Sequence, residues 1–186
     1  MNVIDAIKAR RAFRSLDPVQ VTPDMVQDLA QCAQLAASCF NNQPWRFVFV
    51  YEPEPLMNMM TALSKGNEWI HHASLVIAVF SKKEYDCAMK DGREYYLFDT
   101  GMAVATLILR ATELGLVAHP IAGFKPEAVK EILGIPPDMN VITLINIGRH
   151  AADIKPELSE KQIADEKNRP ERMPLEKFVH HNKYSP

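Results

Sequence analysis

The 186-residue sequence has no strong charge of one sign and no long apolar run. Its formal net charge is -2 at pH 7, so no overall basic field favours nucleic acid as a partner. Its longest apolar segment, Met102 to Leu109, is too short to cross a bilayer. The N-terminal residues predict an amphipathic helix rather than a signal peptide, because Asp5 and Lys8 interrupt the apolar positions. We therefore expect a cytoplasmic protein that binds neither nucleic acid nor a membrane.

Cysteine is scarce as well. Cys32, Cys39 and Cys87 are odd in number and lack the spacing of metal ligands. Such usage is typical of a reducing compartment and argues against a disulfide framework. The six histidines also predict no metal site. His71–His72 and His180–His181 are adjacent pairs, and adjacent side chains point apart on a helix or a strand.

Motifs for several catalytic classes are missing too. The chain has no Gly-x-Ser-x-Gly elbow, no glycine-rich dinucleotide fingerprint and no phosphate loop of the Walker type. Cys39 as a thiol nucleophile is an alternative that the sequence leaves open. A chain with polar binding groups but no evident nucleophile, general base or metal site is typical of an enzyme whose cofactor carries the chemistry.

The pattern of apolar residues predicts one α+β domain over residues 1–186. Apolar residues make up 47% of the chain, as in an ordinary globular protein. Helices are predicted at 2–10, from Pro23 to Ser38, and at 56–63, 95–114, 126–133 and 159–166. Strands are predicted at 47–51, 75–80, 117–121 and 141–147. This order favours a mixed sheet flanked by helices over an alternating βαβ arrangement.

The helix predicted at 95–114 is apolar on nearly every side from Gly101 onward. A helix of that kind must be buried all round. Because a chain of 186 residues can seldom wrap a helix so completely, we expect a second subunit to cover part of it. Gly115 follows the helix and predicts a left-handed residue at its end.

Three segments carry residues suited to binding a ligand. Arg10, Arg11 and Arg14 can bind phosphate through their guanidinium forks, although a basic helix end that complements the helix dipole is an equally good interpretation. The turn Asn41-Asn42-Gln43-Pro44-Trp45-Arg46-Phe47 is rich in amides and suits a flat polar heterocycle. Pro120 to Phe124 contains a glycine through which backbone can approach a ligand, and a plain strand-to-helix turn is the alternative.

These segments, in this order, resemble the FMN-dependent nitroreductase family. The matching stretches are Ile7 to Arg14, Ala36 to Phe47, Asp99 to Ala103, Pro120 to Phe124 and Arg172 to Glu176. Together they cover almost the whole chain, and their ordered combination is specific. The resemblance implies a three-layer fold with a mixed, mainly antiparallel sheet. It also implies an intertwined homodimer in which residues 150–186 form an extended tail that wraps the partner.

The resemblance implies FMN as the cofactor, bound at the subunit interface. The implied contacts are Arg10, Arg11, Ala12, Arg14, Ser38, Asn41, Asn67, Pro120, Ala122, Gly123 and Arg172. Arg10 and Arg172 would hold the phosphate, with Arg11 and Ala12 beside the flavin. Arg14 would lie near the pyrimidine edge, where a cation stabilises the reduced flavin.

The remaining contacts are implied to surround the flavin ring. Ser38 and Asn41 would reach the flavin of the partner subunit. Asn67 would read the uracil-like edge, while Ala122 and Gly123 would place backbone N–H groups near flavin N5. In this interpretation N5 is the reacting centre, and the protein supplies neither a catalytic side chain nor a metal.

The implied activity is oxidoreduction with NADH or NADPH as the hydride donor. A small flat acceptor, such as a nitroaromatic or a quinone, would be reduced in a ping-pong cycle through one shared site. Related flavin reactions are the main alternative, namely dehalogenation, enone reduction and flavin breakdown. A non-catalytic FMN-binding protein is a second alternative. A dimeric structural module, whose arginines and amides only cap helices, is a third.

Overall fold

A computed structural model describes residues 1–185 and places one antiparallel sheet at the centre of the molecule. Its strands are β1 (Leu16–Asp17), β2 (Arg46–Val50), β3 (Leu75–Ser81), β4 (Val117–Ile121) and β5 (Asn140–His150). β3 pairs with β2 on one side and with β5 on the other. The far edge of β5 pairs first with β4 and then with β1, and every pairing is antiparallel. The predicted α+β class with an antiparallel sheet is confirmed.

Helices cover both faces of the sheet. They are α1 (Val3–Ala9), α2 (Pro23–Gln34), α3 (Pro53–Met60), α4 (Tyr95–Glu113), α5 (Pro126–Leu133) and α6 (Glu160–Lys167). The predicted start of α2 is confirmed, because Thr22 Oγ1 accepts a hydrogen bond from Met25 N–H at 3.2 Å and Pro23 takes the first helical position. Among the helices of residues 1–185, none combines the length and the apolarity needed to cross a membrane.

β3 separates two apolar cores. It is buried along its whole length because its alternating side chains enter opposite layers. Val76, Ala78 and Phe80 lie in the core beneath α3 and α5. The other three apolar side chains of the strand, Leu75, Ile77 and Val79, lie in the core formed with α2 and α4. The result is a helix–sheet–helix arrangement of three layers.

Several elements differ from the prediction, and β5 extends three residues past its predicted end, to His150. β1 has only two residues, too few to carry a periodicity. α2 ends at Gln34 rather than at Ser38, because the chain leaves the helix at Leu35. α3 begins at Pro53, three residues before its predicted start. A proline at the first helical position removes an N–H that has no intrahelical partner, so Pro53 starts the helix instead of interrupting it.

An apolar surface on α1 and α4 is uncovered in the single chain. The side chains of Ala103 and Leu107 on α4 are fully buried, whereas Phe98 on the same helix is 57% exposed. On α1, Val3 and Ile4 are 72% and 52% exposed. α4 is therefore not fully enclosed within one chain, and its cover by a second subunit stays a prediction. The predicted left-handed residue after α4 is confirmed, since Gly115 has a φ of +75°.

The expectation of no disulfide is wrong. The structure joins the Sγ atoms of Cys39 and Cys87, which are 48 residues apart, while Cys32 is free. The loop after β3 folds back over the turn at residues 39–41, and Asn42 Nδ2 donates to Asp86 Oδ1 at 3.2 Å. No spacing rule along the sequence signals this contact. A sulfur held in a disulfide also cannot act as the thiol nucleophile that was left open for Cys39.

Candidate functional site

Arginines from both ends of the chain line a cavity of about 180 Å³. Arg10, Arg11 and Arg14 come from the segment after α1, and Arg169 and Arg172 come from the segment after α6. The remaining lining residues are Ala12, Asp165 and Pro170. Five arginines and one aspartate therefore line the cavity, so its charged lining is mainly positive.

Burial and the positive charge of the cavity change the pKa of one of its arginines. Burial, together with the positive charges of Arg169 and Arg172, lowers the pKa of Arg10. Like charges packed this closely repel one another, and a bound anion would relieve the repulsion. Guanidinium groups are suited to phosphate, because two N–H donors of one group can bind two oxygens. The geometry and charge fit a phosphate group.

The arginines do not share a helical face. α1 ends at Ala9, and residues 10–15 run as an extended arm. The interpretation of a basic helix end therefore fails for Arg11 and Arg14. The arm brings the arginines together with the tail, where Arg169 Nη2 donates to Lys8 O at 2.6 Å and to Arg10 O at 3.0 Å.

Helix α6 anchors the arm through its C-terminal end. Arg11 Nη2 donates to the carbonyls of Asp165 and Glu166 at 2.7 and 3.0 Å. Such carbonyls have no partner within the helix, and a cation beside them complements the helix dipole. The side chain of Glu166 is buried and accepts from Arg14 N–H at 2.6 Å and from Ser15 N–H at 3.4 Å. Hydrogen bonds between side chains and backbone thus join two segments that are 154 residues apart in the sequence.

A second polar group forms where the turn after β4 meets the loop before Glu68. Asn67 Nδ2 donates to Gly123 O at 2.9 Å, and Ser64 N–H donates to the same oxygen at 3.0 Å. A Cβ atom at Gly123 would lie 2.3 Å from Asn67 Nδ2. Glycine is therefore required at this position to admit the amide. The bond uses one donor of Asn67 and leaves its Oδ1 for another partner.

The start of α6 links this second group to the arginine cavity. Gln162 Nε2 donates to Gly66 O at 2.9 Å, next to Asn67 in the chain. The same helix carries Asp165 on the wall of the cavity, one turn further on. The C-terminal end of α6 therefore contacts the arginine arm, and its N-terminal end contacts the loop that carries Asn67.

Ser38 and Asn41 lie in a third place and do not line the arginine cavity. Ser38 Oγ accepts from Gln43 N–H at 3.0 Å, and Asn41 adopts a positive φ of 58°. Asp99 on α4 holds the turn, since its Oδ2 accepts from Cys39 N–H at 2.6 Å. Burial, with a smaller contribution from the nearby Asp86, raises the pKa of Asp99. Phe40 at the tip of this turn is 93% exposed.

The structure thus brings five of the predicted site residues into one cavity and joins two others by a hydrogen bond. The five are Arg10, Arg11, Ala12, Arg14 and Arg172. The pair is Asn67 with Gly123, next to the exposed Ala122 and Pro120. Sequence reasoning missed Arg169 and Glu166. Arg169 could have been predicted, because it stands three residues before Arg172 in the same tail. Nothing in the sequence of the polar helix α6 indicates that Glu166 is buried.

Two histidines behave differently from the prediction. His71 and His72 follow each other in a 3-10 helix, yet their ring centroids are only 4.0 Å apart and both Nε2 atoms face Glu157. The expectation that adjacent histidines point apart is wrong here. A single tight turn does not keep the regular angular spacing of a helix or a strand.

The mainly positive lining of the arginine cavity fits an anionic ligand. The sequence profile of the Nitroreductase family matches residues 7–65 and 57–149. A protein of Archaeoglobus fulgidus, named "Putative NADH dehydrogenase/NAD(P)H nitroreductase", is 28% identical over 181 residues. That match covers 92% of this chain and 96% of the relative.

Solved structures agree with the sequence match. A nitroreductase family protein of Clostridium difficile 630 has a TM-score of 0.80 and 25% identity, covering 99% of this chain and 100% of that one. An oxidoreductase containing FMN has a TM-score of 0.80 and 25% identity, covering 97% and 91%. The chain belongs to the Nitroreductase family, as its motifs predict.

Proposed function

We propose that this protein is an FMN-dependent NAD(P)H oxidoreductase. The observation that carries the proposal is the arginine cavity, which is lined by five arginines and one aspartate. The cavity suits the phosphate of FMN in charge and in donor geometry. A related oxidoreductase of the same fold is described as containing FMN, and the Archaeoglobus relative carries NAD(P)H in its name.

The proposal gives each part of the site a task. Arg10, Arg169 and Arg172 bind the phosphate, while Arg11 fixes the arm through the carbonyls at the end of α6. Asn67, oriented by Gly123 O, offers its Oδ1 to a polar ring edge. When bound, FMN supplies hydride exchange between NAD(P)H and a small flat acceptor such as a nitroaromatic or a quinone, in a ping-pong cycle. We assign no catalytic acid or base to the protein, and the proton that the reduced acceptor takes up comes from solvent.

We further propose that the active form is a homodimer of one-domain chains covering residues 1–186. Exposed apolar side chains on α1 and α4 supply a surface for a second copy. The tail carries further exposed apolar residues, including Leu175 and Phe178 at 67% and 57% exposure. Such a tail suits wrapping around a partner. In that dimer Ser38 and Asn41 would act on the partner's cofactor, since they lie apart from the arginine cavity.

The spectrum of the purified protein tests the proposal. A yellow protein, or one that becomes yellow on reconstitution with FMN, is the expected result. Anaerobic addition of NADH or NADPH should then bleach the flavin absorbance. A colourless protein that takes up no FMN would contradict the proposal. FMN uptake without bleaching would favour a non-catalytic binding protein, and bleaching without turnover of nitroaromatics or quinones would favour a related flavin reaction.

The cytoplasmic location remains a prediction. The Cys39–Cys87 bond does not decide it, because thiols that lie in contact become bonded or free according to the compartment. Counting free thiols in protein isolated under acid quench gives the state in the cell.

A further inference from the structure

A cluster of two imidazoles and a carboxylate lies outside the arginine cavity. His72 Nε2 is 2.6 Å from Glu157 Oε1, and His71 Nε2 is 3.9 Å from the same oxygen. One ligand atom from each of these residues lies within 4.8 Å of the other two. The side chains of His71, His72 and Glu157 are 53%, 29% and 22% exposed, so the cluster is partly open to solvent.

The other ring nitrogen of His71 is already engaged. Nδ1 of His71 contacts the backbone carbonyl of Glu68, which can only accept a hydrogen bond. With Nδ1 engaged by this carbonyl, Nε2 is the ring nitrogen of His71 that faces Glu157. Ring N–H to carbonyl contacts of this kind orient the histidine ligands of metal sites.

The separations between the ligand atoms lie within about 1 Å of those that a tetrahedral metal ion requires. Ligand atoms at ~2.1 Å from Zn²⁺ in a tetrahedral arrangement are about 3.4 Å from one another. The two separations in the cluster, 2.6 and 3.9 Å, bracket that value. Small side-chain rotations would equalise them. A water molecule would complete the fourth position, as in other three-ligand zinc sites.

We propose that His71, His72 and Glu157 form a binding site for a divalent transition-metal ion of the zinc class. Two imidazoles and one carboxylate are ligands that Zn²⁺ shares with Ni²⁺ and Cu²⁺, whereas Mg²⁺ and Ca²⁺ prefer oxygen ligands alone. The proposal departs from the expectation that the histidines bind no metal, and it does not depend on the proposed flavin chemistry.

The ion would bridge two elements that support the arginine cavity. Glu157 lies two residues before Ser159, the N-cap of α6, and His71 lies four residues after Asn67. α6 reaches the Asn67 loop through the bond from Gln162 to Gly66 O. A metal ion at the cluster would add a second link between the same helix and the same loop. Its expected effect is a more stable attachment of α6 to the body.

Isothermal titration with Zn²⁺ tests the site. The protein is stripped with a chelator, dialysed, and kept free of thiol reductants so that the sulfurs of Cys39 and Cys87 stay bonded to each other. We expect one Zn²⁺ per chain, and His72→Gln or Glu157→Gln should weaken binding at least about tenfold. His180→Gln combined with His181→Gln is the matched control, because it removes an adjacent histidine pair elsewhere and should leave the affinity unchanged.

Thermal unfolding gives a second readout that does not depend on activity. Zn²⁺ at about 100-fold over its dissociation constant should raise the Tm by roughly 5 to 10 °C in the wild type and in the control, but not in Glu157→Gln. His71→Gln changes the most exposed ligand, so it gives a folded variant if His72→Gln is unstable. Absence of one-to-one binding, or equal binding by wild type and by both His71→Gln and Glu157→Gln, would overturn the proposal.

Discussion

His119 shows how one residue sets the pH response of the core beside the arm. It is buried on β4, stacks on Trp69 at a centroid distance of 4.7 Å, and contacts Phe13 O through Nδ1 at 3.0 Å. Burial lowers the pKa of His119 from 6.5 to about 4. The folded protein therefore keeps this ring neutral in a range where the unfolded chain protonates it.

The sign of the pH effect follows from that difference. Above pH 6.5 the ring is neutral in both states, and the full stability is present. As the pH falls from 6.5 towards 4, only the unfolded chain gains the proton, so the free energy of unfolding decreases by an amount on the order of 3 kcal/mol. Urea unfolding at several pH values should show a smaller decrease for His119→Gln. Equal slopes for the variant, the wild type and a His180→Gln control would contradict this role.

Gly123 is a residue whose lack of a side chain matters. An added Cβ would meet Asn67 Nδ2 at 2.3 Å, so Gly123→Ala should lower the free energy of unfolding by roughly 1–3 kcal/mol. Asn67→Ala removes the clashing atoms, so the second change should cost little in that background. A double-mutant cycle from urea unfolding measures the coupling. Additive effects would show that the two residues do not meet.

At the scale of elements, α6 is the piece that aligns the arm. Glu166 accepts hydrogen bonds from Arg14 N–H and Ser15 N–H, and its Oε2 lies 3.6 Å from His150 Nε2 on β5. Ser15 O in turn accepts from Ala151 N–H at 2.9 Å. A short polar helix thus holds an extended segment against the edge of the sheet.

Loss of the Glu166 carboxylate should loosen the arm. Glu166→Ala leaves the N–H groups of Arg14 and Ser15 without their acceptor, at a cost of about 1–3 kcal/mol in the free energy of unfolding. FMN affinity should fall with it, because the arm carries three of the cavity arginines. Glu160→Ala, on the exposed start of the same helix, is the control and should change neither quantity. An unaltered FMN affinity in Glu166→Ala would contradict the role of Glu166 in positioning the arm.

Most elements could be predicted from the sequence, and the exceptions have physical causes. β4 and α5 match their predicted ranges, and α5 is marked clearly by Pro126 at its start and by the left-handed Gly134 at its end. β1 was not predicted, because its two residues form a strand only through their pairing with Arg149 and His150. In the site, the arginines are visible as a motif, but Glu166 and the disulfide depend on contacts between distant segments.

At the scale of the whole molecule, the uncovered apolar surface predicts a dimer. Ile4→Glu combined with Phe98→Glu places two charges on exposed positions of α1 and α4, so the fold of one chain should survive. Light scattering should give twice the chain mass for the wild type and the mass of one chain for the variant. Met57→Glu, at an apolar position on α3 that is 73% exposed, is the control and should remain dimeric. A wild type with the mass of one chain would contradict the prediction.

The most direct test of the central claim compares FMN with riboflavin, which lacks the phosphate. If the arginine cavity binds the phosphate, the wild type binds FMN at least about tenfold more tightly than riboflavin. Arg10→Ala should weaken FMN binding by ~2 kcal/mol, about 30-fold, and leave riboflavin binding nearly unchanged. Arg93→Ala, at an exposed arginine paired with Asp91, is the control and should alter neither affinity. Equal affinity of the wild type for FMN and riboflavin would contradict the account.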